Sequence, residues 1–350
     1  MVSAAGAQAE DDRRDGVGAA GVVVLGACAG WSLITAAVRD GRPEGMLLAV
    51  LAVTAGYAAG RIAGALLPVA APSAGALAGI GLTVAVPQPA PGPRIDAPLG
   101  HAGATAAVLT LAAGAACCAA WASGVPAVRI VLRLSAAATA VTAAALGSVT
   151  TTAACAAVLL CSLAAGRVRR RGPALVALAA VTAVVTGLTW AMAARAVPDG
   201  LAASLEGRLT PHRVGLWGDA LRMVRQNAGL GVGPGRFGEL SATAAQSPLS
   251  DGKAHSAPLQ QAAEQGVVGV VLLAAVFGWV VYALWRSPRP TPVVLTAGAA
   301  LTALAVVASV GNALSFTAVS VGAGVLAGIA TARPLAAAPE PDAAVTPAAW

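Results

Sequence analysis

Apolar runs of about 20 residues, separated by short polar or Pro-containing breaks, recur along the whole chain. They lie at 17–38, 46–67, 69–87, 103–122, 127–147, 149–165, 174–194, 266–285, 291–311 and 317–332. A helix rising about 1.5 Å per residue crosses about 30 Å of hydrocarbon in such a run. Lipid offers no partner to backbone N–H and C=O groups, so each run must close its own hydrogen bonds as a helix. A transmembrane barrel would instead alternate apolar and polar residues in segments of about ten. The pattern therefore predicts an all-α, polytopic transmembrane helical bundle of about ten spans, with a large extracytoplasmic loop between late spans. Residues 69–86 contain Pro72 and follow Pro68 almost without a linker, and the runs around Gly147 admit another division. One changed span there would invert half of the topology.

Composition agrees: 57% of the residues are hydrophobic and 11% charged, with a mean hydropathy of +0.77. The abundance of Ala and Gly suits close helix packing through small residues, and a GC-rich genome accounts for it equally. Cys28, Cys117, Cys118, Cys155 and Cys161 all fall inside apolar runs. That placement indicates neither a disulfide framework nor a metal site, and they read as small core residues. The polar stretch at residues 10–15 precedes the first run and no cleavage site follows it, so that run is expected to be a retained span.

The net charge of +7 would raise nucleic acid as a partner in a soluble chain. Here the positions of the charges carry the information, and no nucleic acid is expected. Arg167, Arg169, Arg170 and Arg171 form the densest basic cluster in a short loop, and Arg286 and Arg289 the only other downstream. Both should be cytoplasmic, which requires residues 195–265 to lie outside. The expected organisation is a cytoplasmic tail (1–16), an N-terminal bundle (17–194), an extracytoplasmic loop (195–265), C-terminal helices (266–332) and a disordered cytoplasmic tail (333–350). Plasma-membrane localisation and contact with membrane lipids follow.

The outer loop is too long to be a mere connection. It gathers His212, His255, Arg208, Arg213, Arg222, Arg225, Arg236 and Lys253. Val214, Trp217, Leu221 and Val224 recur at helical spacing, predicting an amphipathic helix that lies on the membrane or caps the bundle. Asp219 and Arg222 can pair on it. Residues 229–238 (GLGVGPGRFG) permit positive φ and close backbone approach. They are no nucleotide-binding fingerprint, since neither a strand nor a GK[ST] accompanies them.

Four features in order carry a resemblance: Arg213 with Trp217, GVGPGxF at 231–237, His255 with Leu259 in an H[NS]xxL setting, and E-x-G-x-x-G at 264–269. Together they resemble the O-antigen ligase and polymerase superfamily of membrane glycosyltransferases. The resemblance implies metal-independent transfer of a glycan, without a cofactor, from a polyprenyl-pyrophosphate donor to a glycan, lipid or protein acceptor. It implies His255 as the base that activates the acceptor hydroxyl and Arg213 as the cation on the pyrophosphate. Arg236, Arg208, Lys253 and His212 are then candidate substrate-binding residues. The chemistry is coherent, because a guanidinium fork suits pyrophosphate and a neutral imidazole can take a hydroxyl proton. One departure stands out: the family's Ser-Arg pair near the outer end of an earlier span is replaced by Gly147-Ser148-Val149-Thr150.

Plainer readings remain beside these. His255 is otherwise a solvated loop histidine, Arg213 a residue snorkelling to phospholipid, and the glycine segment a turn. His101 stands alone in another loop. Arg61, Arg129 and Arg133 sit near predicted inner span ends, where snorkelling explains them. Asn312 and Ser315 either line a polar pocket or pair between helices. Rival functions are a transporter or flippase of lipid-linked glycan, which should show repeated halves with broken helices, and a non-catalytic scaffold of the same fold.

Overall fold

The computed structural model describes residues 4–85, 102–146, 148–197, 211–246 and 251–333. Helix is their regular secondary structure, with no strand among them. The helices are α1 (Ala4–Arg39), α2 (Glu44–Leu66), α3 (Ala70–Ala85), α4 (Ala102–Ala122), α5 (Pro126–Ala145), α6 (Val149–Ala165), α7 (Arg171–Ala193), α8 (Pro211–Gln226), α9 (Phe237–Leu240), α10 (Ala242–Ala245), α11 (Ala257–Trp285), α12 (Thr291–Ser309) and α13 (Thr317–Thr331). Each apolar run of the sequence is a helix, and the protein is a polytopic helical bundle.

Seven of these helices are long and apolar enough to cross a membrane. The helices α3, α6 and α13 are shorter, at 16, 17 and 15 residues. Leu67 and Pro68 break the chain before α3, and a short 3₁₀ turn at Ala313–Ser315 takes up chain before α13. The first helix is longer than its apolar run: α1 begins at Ala4. Ala, Gln, Glu and Asp carry no helix-breaking preference, so a helix fixed by the apolar run extends back through residues 10–15.

The core lies around α4 and α12, which the other spans enclose. Leu109, Ala113, Ala116, Cys117 and Cys118 of α4 are buried, as are Val294, Ala297, Ala300 and Leu304 of α12. Cys28 and Cys155 are buried too, but Cys161 is exposed on α6. That corrects its reading as a core residue: an apolar run places a residue in a span, and only packing decides which side of the helix meets protein. Arg61 is exposed. Arg129 donates to the Ser123 carbonyl at 2.9 Å, and Arg133 lies 5.1 Å above the Trp121 ring.

Helices α2 and α13 meet backbone to backbone. Gly56, Gly60 and Gly64 of α2 are buried, and a Cβ on Gly56 would stand 2.5 Å from the Val321 carbonyl oxygen. A Cβ on Gly60 would overlap the Val325 carbonyl, and one on Gly328 the Tyr57 carbonyl. The small residues therefore do pack helices here, as in the small-xxx-small seams of membrane bundles. Gly60→Val should force the two backbones apart. We expect a loss of about 1–3 kcal/mol or more from overpacking, read as a lower thermal midpoint in detergent; an unchanged midpoint would refute the seam.

The bundle has two distinct polar ends. At one end Arg289, although buried, donates through Nε to the Ala332 carbonyl at 2.9 Å and through Nη2 to the Gly64 carbonyl. It thus caps the C-termini of α2 and α13, whose last carbonyls lack helical partners. At the other end the α1–α2 turn, the α12–α13 turn and residues 211–246 and 251–265 come together. The Arg42 amide donates to the Pro234 carbonyl at 2.7 Å, and Asn312 donates to Asp251 at 2.7 Å. The large loop and the Arg167–Arg171 stretch are thus at opposite ends, as alternating spans require.

Candidate active site

Residues 211–246 and 251–265 form a compact cap with its own apolar centre. Leu216, Trp217, Ala220, Leu221 and Val224 of α8 pack with Val232, Phe237, Ala254, Leu259 and Ala262, and with Met192 and Ala193 at the end of α7. The amphipathic helix therefore caps the bundle. Asp219 and Arg222 are ion-paired as their i, i+3 spacing allows. Asp219 is nonetheless buried, and accepts from the Ser241 hydroxyl at 2.7 Å and the Thr243 amide at 2.9 Å. Burial pushes its carboxyl up, but the bonds from Thr243 and Ser241 and the charge of Arg222 outweigh this and hold it below the usual carboxylate range.

The glycine segment and the E-x-G segment interlock. Within α11, Gly266 has φ 70° and ψ −165°, which breaks the helix into two parts. The interruption orphans carbonyls before it and an amide after it. The Ala263 and Glu264 carbonyls accept from the Val232 and Gly233 amides, each at 2.9 Å, and the Val267 amide donates to the Ala228 carbonyl at 2.9 Å. The Gln265 carbonyl accepts from the Trp31 indole at 3.0 Å. A Cβ on Gly231 would lie 2.5 Å from the Glu264 carbonyl oxygen, and one on Gly266 would lie 2.6 Å from that of Ala228. Glycine is needed at both places for approach as well as for positive φ. The Glu264 carboxylate accepts from Gln260 at 3.1 Å and from the Gly235 and Phe237 amides. Two motifs separated in sequence are thus one structural unit.

His255 sits on the rim of this unit, one residue before the α11 N-cap Ser256. Its φ is 51°, a left-handed conformation uncommon for a residue with a Cβ and one that concentrates at functional sites. The indole of Trp217, itself fully buried, donates to the His255 carbonyl at 3.4 Å. Nε2 of His255 lies 3.1 Å from Oδ1 of Asp251. Oδ2 of Asp251 accepts from Asn312 at 2.7 Å, and Oδ1 from the Lys253 amide at 3.1 Å. Burial raises the Asp251 carboxyl, but the bonds from His255, Lys253 and Asn312 outweigh it, and the group is held below the usual carboxylate range. Asp251 is therefore ionised at neutral pH, and orients the ring so that Nε2 carries the hydrogen and Nδ1 the lone pair.

Arg213 lies one helical turn before Trp217 on α8, so the two side chains share a face. Trp217 in turn touches His255. Arg213 is partly buried, and burial pushes its guanidinium below its ordinary value. Among the described residues no carboxylate pairs with it. His212 is exposed beside it, and Arg208 lies outside the described residues. Lys253 is adjacent to Asp251 in the turn and its charge acts on Glu264. Arg236 is engaged within the protein: Nη1 donates to the Arg39 carbonyl at 2.7 Å, and Nε lies 3.7 Å from Glu239.

Sequence reasoning passed over Asp251, whose only signal was its position four residues before His255 in a Gly-containing turn. It also passed over Arg39 and Arg42, which pack against Gly233 and Gly235. Arg39 donates to Asn227 at 3.2 Å, and Arg42 pairs with Glu239. At the position of the missing arginine, Ser148 caps α6 by accepting from the Thr151 amide at 3.3 Å.

Residues 134–274 match the family model described as O-Antigen ligase. That stretch runs from α5 to beyond the Gly266 break and contains the glycine segment, His255 and Arg213. No curated protein and no solved structure matches the chain. The match covers less than half of the chain and supports the superfamily resemblance carried by the motifs.

Proposed function

We propose, with the O-Antigen ligase domain at residues 134–274 as premise, that the protein transfers a glycan from a polyprenyl-pyrophosphate donor to an acceptor hydroxyl on the extracytoplasmic face of the plasma membrane. The observation that carries this reading is the Asn312–Asp251–His255 chain of hydrogen bonds; a half-buried arginine, without a carboxylate partner among the described residues, lies one helical turn before the Trp217 that bonds the His255 carbonyl.

In the proposed step Nδ1 of His255 takes the acceptor hydroxyl proton as the oxygen attacks the anomeric carbon. The bond from that carbon to the pyrophosphate oxygen breaks, and the electron pair leaves with the pyrophosphate. Asp251 stabilises the imidazolium that forms, in the manner of a triad carboxylate. Arg213 faces the charge developing on the leaving group, where a fixed guanidinium acts without reorganisation. Lys253 and His212 add positive or hydrogen-bonding groups on the same rim, and Arg208 precedes α8 by three residues. Base and cation are both supplied by side chains, so the step as written calls on no metal. The glycine segment and Glu264 hold the rim in place.

The test uses the purified chain in nanodiscs with a polyprenyl-pyrophosphate glycan. Polyprenyl pyrophosphate should be released only when an acceptor is present. Arg213→Ala should lower that release by about tenfold or more, and Arg213→Lys should restore part of it, because an ammonium keeps the charge without the fork. Equal rates in all three proteins would remove Arg213 from the site. Absence of release from the unaltered chain with every acceptor class would favour a scaffold of the same fold.

A further inference from the structure

The end of the bundle opposite His255 holds a polar cavity of about 660 Å³, lined by residues 169–172 and 285–291. Arg169, Arg170, Arg171, Arg286 and Arg289 all face it, and no lining residue is a carboxylate. Two of the five are engaged inside the protein. Arg289 caps α2 and α13, and Arg171 donates to the Ser287 carbonyl at 2.8 Å. Arg169 and Arg170 are exposed, and Arg286 lies 5.7 Å above the ring of Trp285. Among the described residues no ion pair neutralises these three.

Two helix N-termini also open on this cavity. Helix α7 starts at Arg171 and α12 at Thr291, and neither is closed by a side-chain cap. Pro173 and Pro292 leave few amide donors in these first turns, but the positive end of each helix dipole still faces the cavity, an arrangement that suits phosphate oxygens. On the flank of the cavity Trp285 is 47% and Val176 67% exposed, and Tyr282, one turn before Trp285, is 42% exposed. Aromatic residues so placed mark the headgroup level of a bilayer, with apolar side chains running towards its middle.

We propose that this cavity is a binding site for the phosphate headgroup of an anionic lipid, in the leaflet that residues 167–171 face. Phosphate oxygens are the ligand chemistry: guanidiniums and helix N-termini converge on one space. The lipid is favoured as their source because the exposed apolar flanks of α7 and α11 extend from the cavity along the acyl-chain direction. A cluster that only set topology would need charges in the loop and no concavity shared between two loops. The inference is independent of the glycan reading, and its failure leaves that reading untouched.

The test compares the full chain in nanodiscs of phosphatidylcholine alone and of phosphatidylcholine doped with phosphatidylglycerol. The unaltered protein should retain phosphatidylglycerol selectively in native mass spectra and show a higher thermal midpoint in the doped discs. Each arginine near an anionic lipid surface contributes about 1 kcal/mol, so the Arg170→Gln/Arg286→Gln protein should retain it at least about tenfold less. Its midpoint in phosphatidylcholine alone should be unchanged, since Arg171 and Arg289 stay in place. Equal retention of both lipids by the unaltered chain, or undiminished retention by the variant, overturns the proposal. Stabilisation by inorganic pyrophosphate with none from phosphatidylglycerol overturns the lipid source and leaves a soluble phosphate ligand.

Discussion

The His255→Ala protein is expected to release polyprenyl pyrophosphate about 10²- to 10⁴-fold more slowly than the unaltered chain, the usual loss when a positioned general base is removed. The thermal midpoint should scarcely move, because His255 is partly exposed and its carbonyl, not its ring, receives the Trp217 indole. Asp251→Asn is the informative companion. The amide keeps the shape and the bond to Asn312 within reach but removes the charge that stabilises an imidazolium, so a loss of about tenfold or more in kcat is expected with KM little changed. Unaltered kcat in both variants would return His255 to the plainer reading of a solvated loop histidine.

The second large effect is expected at Gly266. Its φ and ψ lie in a region that only glycine occupies without strain. Beyond strain, an added methyl group would collide with the carbonyls of residues 228 and 229. Gly266→Ala should therefore separate the glycine segment from α11, at a cost of about 3 kcal/mol or more from backbone strain and overpacking together. Hydrogen exchange should rise across residues 228–237 and most at Val232, Gly233 and Val267, whose amides bond across this junction, while exchange in α4 and α12 stays slow. Transfer activity should fall with it, since His255 immediately precedes the N-cap of the same helix. Wild-type exchange across residues 228–237 would show that the junction does not depend on glycine.

Much of the fold was legible because lipid imposes a simple rule. A run that is apolar throughout must be a helix, and the boundaries of α2, α4, α6 and α12 fall close to those the runs predict, whereas α11 starts at Ala257, before its run, and is broken at Gly266. The seam between α2 and α13 was not legible: spacing alone could not separate glycines that touch another backbone, such as Gly60, from those that meet nothing, such as Gly26. The same limit applies to Cys161, whose outward face depends on which neighbours surround α6.

Within the candidate site, the order of motifs pointed to His255 and Arg213 because each lies in a recognisable local pattern. Arg236 stood in the most conspicuous motif, yet its guanidinium is bound to Arg39 and Glu239, partners far away or unmarked in the chain. Asp251 had no pattern of its own; its carboxylate gains meaning only when the α12–α13 turn brings Asn312 against it.

By itself, then, the chain's sequence determined that it is a membrane bundle, where its helices run and which loop holds the ionisable groups, since burial of backbone in lipid is a local requirement met within each segment. Tertiary structure alone decided which of those groups are joined. The Gly231–Glu264 junction, the Asn312–Asp251–His255 chain and the arginine-lined cavity at the opposite end all depend on contacts between distant segments, and such contacts leave no mark in hydropathy.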